Sequence, residues 1–106
     1  MADYRFEREC RTPYSEVYLV TDGDERVGRV DLHFTPSIVY ATLCVVEKVA
    51  ADDIQDLIDH VDEELVMSAD VARDDFIVTV YQGHEAGIFS DEEFDEEEEE
   101  EEASGQ

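Results

Sequence analysis

Apolar and polar residues alternate with a period of two through most of the first half of the chain, the pattern of half-buried β-strands. Tyr4, Phe6 and Cys10 alternate with Arg5, Glu7, Glu9 and Arg11. Arg8 interrupts the apolar face, which places this strand at a sheet edge, and Thr12-Pro13 ends it because proline has no ladder donor. The β-branched and aromatic run Glu16 to Thr21 predicts a second strand. Asp22-Gly23-Asp24 supplies the positive φ angles of a tight hairpin. Val27 to Phe34 follows, with Val30, Leu32 and Phe34 on one face and Arg29, Asp31 and His33 on the other. After the turn Thr35-Pro36-Ser37, the segment Ile38 to Glu47 is apolar at both parities, as expected of a central strand covered on both faces.

The period then changes. Ile54, Leu57, Ile58, Val61 and Leu65 form one stripe of an amphipathic helix over residues 51–66, with Asp52 and Asp53 in the dipole-favoured first turn. Phe76 to Tyr81 reads as a fifth strand. The order β-β-β-β-α-β predicts an α+β fold: a four-stranded antiparallel meander, a helix packed on one sheet face, and a fifth strand whose sheet position the pattern leaves open. Residues 1–89 form the expected domain. Residues 90–106 read as a disordered Glu-rich tail, because long runs of like charge repel themselves and stay solvated.

Charge separates this chain from an ordinary small domain. Its 31 acids against 7 lysines and arginines give a net charge of −24. The segment from Asp91 to the end holds 11 of the acids and no base, so the first 90 residues are acidic in their own right. Such a surface repels phosphate backbones and membranes and attracts cations. Arg5, Arg8 and Arg11 are too few, and too closely interleaved with Glu7 and Glu9, to make a nucleic-acid footprint. The charged N-terminus is not a secretory signal and no run is long enough to span a membrane, so a cytoplasmic setting with reduced thiols is expected. Cys10 and Cys44 are read there as small buried hydrophobes.

Catalytic signatures are lacking. The chain has no Gly-x-Ser-x-Gly, no phosphate-binding glycine loop, and no cysteine with an evident base. No catalytic residue, cofactor or metal ligand is assigned. Asp22-Gly23-Asp24-Glu25 lacks the remaining ligands of a calcium loop and reads as a hairpin turn. A zinc set of Cys10, His33 and Cys44 needs a register that the sequence does not supply. His60, beside Asp56 and Glu64, reads as a solvated surface residue.

The helix carries the strongest functional signal. Asp52, Asp56, Asp59 and Glu63 lie opposite the apolar stripe, and like-charged neighbours at i, i+3 and i, i+4 each cost about 0.2–0.5 kcal/mol. Docking of a cationic protein, adaptation to high salt, or binding of a divalent cation would each maintain that face; side chains on a rigid helix wrap an ion poorly. In the tail, Phe94 gives an aromatic anchor within Asp91, Glu92, Glu93 and Asp95. The expectation is a non-enzymatic module that engages a basic protein or basic segment through the helix face and tail, as a modulator, a holder or a charge mimic of nucleic acid. The alternative acts through its sheet, by self-association or peptide capture at an edge, with charge serving only solubility or high-salt adaptation.

Overall fold

The computed structural model describes residues 2–67 and 74–91. Five strands form one sheet in the order β1-β2-β3-β4-β5: β1 Tyr4–Thr12, β2 Ser15–Asp22, β3 Glu25–Phe34, β4 Ile38–Val45 and β5 Asp75–Gln82. The first four make the antiparallel meander predicted by their short turns. Helix α1, Ala51–Val61, continues as a π-helical turn over Asp62–Val66. β5 lies beside β4 and parallel to it, an arrangement that requires a crossover connection such as the helical segment provides. β1 and β5 are the two edges.

Twelve buried hydrophobics form the core. Val20, Val27, Val30, Leu32, Val39, Ala41, Leu43 and Val45 come from the sheet, and Leu57, Val61, Leu65 and Val66 from the helical segment. Tyr4, Phe6, Ile54, Ile58, Phe76, Val78 and Val80 pack around them. The π turn explains why Val66 joins a stripe that a regular helix would close at Leu65. Met67 N–H reaches back five residues to the Asp62 carbonyl, so Val66 comes round under Val61.

Two expectations about burial are corrected. Cys10 is exposed, because a bulge between Arg8 and Cys10 aligns it with Val17 and turns it off the face shared by Tyr4 and Phe6. Cys44 is exposed as well, and β4 is not covered on both sides. Its residues 39, 41, 43 and 45 are buried, whereas Tyr40 and Cys44 point to an open face. An apolar run at both parities fits a one-sided strand, since much of any protein surface is apolar.

Two details lock the end of the sheet that carries the site. A Cβ at Gly28 would collide with the carbonyl oxygen of Cys44, so only glycine allows β3 and β4 to approach there. The Gln82 amide donates towards the carbonyls of Val46, Glu47 and Val49, at 3.2, 3.3 and 2.7 Å, tying β5 to the link between β4 and α1.

Candidate protein-binding site

Asp52, Asp56, Asp59 and Glu63 are all exposed, on the helix positions opposite the buried Leu57, Val61 and Leu65. The acidity reaches β1, where burial first, and then the charges of Asp53, Asp56 and Asp22, raise the Tyr4 phenol above its ordinary value. His60 lies at the surface, its side chain 35% exposed. Its ring meets Tyr4 edge-on at 5.4 Å between centroids, and Nδ1 lies 3.0 Å from Glu64 Oε2. Nε2 lies 3.9 Å from Asp56. The Glu64 hydrogen bond raises the imidazole above its usual value, and Asp56 and Glu63 add to the rise against the opposing effect of burial. His60 is the one side chain of α1 able to carry positive charge beside these carboxylates. Asp91, at the end of the described segment, is exposed; Glu92, Glu93, Phe94 and Asp95 lie outside the described residues.

The two sheet edges differ in kind. β1 carries Arg5, Glu7, Arg8, Glu9 and Arg11 and is broken by its bulge, the devices that keep an edge from pairing with other chains. β5 has neither. Its sequence from Phe76 to Gln82 contains no charge and no proline, and it pairs with β4 in unbroken register from Asp75 to Gln82. Side chains on its open face stay accessible: Ile77 is 40% exposed and Tyr81 61%, beside Tyr40 of β4 at 43%. Two tyrosines and an isoleucine thus stand partly in water on the open face beside this edge.

Register extends this surface across the sheet. Leu19, Arg29, Cys44 and Tyr81 are successive partners on β2, β3, β4 and β5, and all face the open side. With the segment after β5 they line a groove of about 590 Å³, to which Arg26, His84 and Ile88 also contribute. Arg26 and Glu85 approach to 3.6 Å, and His84 lies 3.5 Å from Glu47. Arg29 donates from Nε to Asp31 Oδ1 at 3.0 Å, which raises its pKa further.

The sequence argument missed these residues. β5 was recognisable as a strand, and the parity of Ile77 and Tyr81 was readable, but their exposure depends on β5 being an edge with no described layer over that face. The metal and disulfide readings of the cysteines find no support among the described residues. Cys10 and Cys44 stand on β1 and β4, three strand spacings or roughly 14 Å apart, too far for a shared metal or a disulfide. Among the described residues no group of three or more His, Cys, Asp or Glu side chains is arranged to hold a metal ion, and no helix is long and apolar enough to cross a membrane. Gly23, at φ 64°, turns the β2–β3 hairpin, as the Asp-Gly pair predicted. No known family model, curated protein or solved structure matches this chain.

Proposed function

We propose that this chain is a non-enzymatic binding module that takes an extended basic segment of a partner protein as an added strand on β5. The observation that carries this reading is the unguarded β5 edge with Ile77 and Tyr81 exposed along it. Main-chain hydrogen bonds would supply affinity, while alternate side chains of the incoming strand meet Ile77 and Tyr81. The acidic surface chooses the partner's charge. Asp52, Asp56, Asp59 and Glu63, together with the Glu-rich tail, create a potential that speeds the approach of lysine- and arginine-rich segments and repels nucleic acid and anionic membranes. The free, exposed thiols of Cys10 and Cys44 suit a reducing cytoplasm.

Self-association at β5 is the competing use of the same edge. Two copies of net charge −24 repel each other, which favours a cationic partner at low salt. The test is titration of a short peptide alternating lysine and valine into the wild type and Thr79→Lys. Thr79 sits exposed between Ile77 and Tyr81, and a lysine there guards the edge. Binding that falls at least about ten-fold in the variant supports strand addition. Equal binding by both proteins refutes it, and a concentration-dependent dimer that excludes the peptide assigns the edge to self-association.

A further inference from the structure

We propose that the groove on the open face is a docking site for the proximal tail of the same chain, Glu92-Glu93-Phe94-Asp95, with Phe94 as its apolar anchor. This does not rest on the β5 reading: the groove shares the Tyr81 side chain with that edge but uses none of the edge's main-chain groups, so either can fail alone.

Three observations lead there. The first is where the described chain ends. Ile88 lines the groove, and Asp91, three residues later, lies in a turn, so the chain leaves beside the groove. Phe94 is six positions beyond Ile88, a reach of at most roughly 20 Å, enough for the chain to double back. The second is charge. Arg26 and Arg29 face Glu9 and Glu85 around the groove, an even balance in a chain of net charge −24. Both guanidinium groups remain about half exposed, 51% and 52%, so each has donors to offer a carboxylate beyond its present partner. An acidic segment meets two arginines here, close to where it leaves the described chain. The third is the lining. Leu19, Cys44, Tyr81 and Ile88 give apolar and aromatic walls, suited to a single phenyl ring between carboxylates. Tethering makes the docking intramolecular, so even a weak contact is populated. The poly-Glu run beyond Asp95 stays available to cations.

Cys44 makes the proposal testable in the full-length chain. In a Cys10→Ser background, Asp95→Cys and Ser104→Cys each add one thiol to the tail and leave the Phe94 anchor in place. Mild oxidation of dilute protein at low salt then reads the rate of intrachain disulfide formation with Cys44. The proposal predicts closure at least about ten-fold faster for D95C than for S104C, a difference that disappears when R26Q and R29Q are added. Equal rates, or a fast rate indifferent to the two arginines, would overturn it. Interchain disulfides in place of intrachain ones would overturn it as well, by giving the groove to a second copy. An independent readout is the amide spectrum. Phe94→Ala in the otherwise native chain must shift the signals of Leu19, Arg29, Cys44 and Tyr81, and an unchanged spectrum contradicts the docking.

Discussion

At the level of single residues, the tightest constraint is the missing side chain of Gly28. The Cys44 carbonyl occupies the space a Cβ would need, and it belongs to backbone that cannot swing aside. Gly28→Ala should therefore destabilise the fold by about 1–3 kcal/mol in denaturant titration, the range of overpacking. Gly23 has open space around it but sits at φ 64°, so Gly23→Ala should cost about 1–2 kcal/mol through conformation alone. His60 gives a pH signature. Its folded pKa is raised, chiefly by Glu64, so its stabilising contribution is complete below the unfolded value of about 6.5 and is lost as pH rises through the folded value. The wild type should exceed His60→Gln in stability by more at about pH 6 than at about pH 8, and a gap that widens with pH would contradict this. Sequence spacing placed His60 between two acids. It did not reveal that Tyr4 of β1 comes up against the ring, a contact that exists only once the helix and first strand meet.

Elements were more legible than their surroundings. Each strand announced itself by alternation or β-branching, the turns by Asp-Gly and Thr-Pro, and the helix by its stripe, because these are local consequences of geometry. The bulge after Arg8, the π turn after Val61 and the edge position of β5 were not legible, since each depends on what lies alongside. The burial of Cys10 and of the second face of β4 was misjudged for the same reason. The acidic face of α1 yields its own prediction. Every like-charged pair among Asp52, Asp53, Asp56, Asp59, Asp62 and Glu63 at i, i+3 or i, i+4 includes Asp56 or Asp59. Asp56→Asn with Asp59→Asn should thus stabilise the protein by about 1–2 kcal/mol at low salt, less the loss of the His60–Asp56 pair, and by little in strong salt. It should also slow association with a lysine-rich peptide while leaving the salt-resistant part of its affinity in place.

For the whole molecule, a net charge of −24 on a chain this small sets the terms of both stability and recognition. Screening shortens from about 10 Å at 0.1 M salt to about 3 Å at 1 M, so unfolding midpoints should rise over that interval as self-repulsion is quenched. The same change should weaken capture of a cationic segment, so salt ought to move stability and binding in opposite directions. High-salt adaptation alone predicts the first effect without the second. The two sheet edges complete the picture: one is guarded by charge and a bulge, the other carries Ile77 and Tyr81 exposed beside Tyr40 and Cys44 of β4.

Hydrogen exchange of the backbone amides, with and without the lysine–valine peptide, tests the use of that bare edge most directly. The account predicts new protection concentrated in Asp75–Gln82, with α1 exchanging as before. Protection confined to 51–66, or none anywhere at saturating peptide, would contradict it.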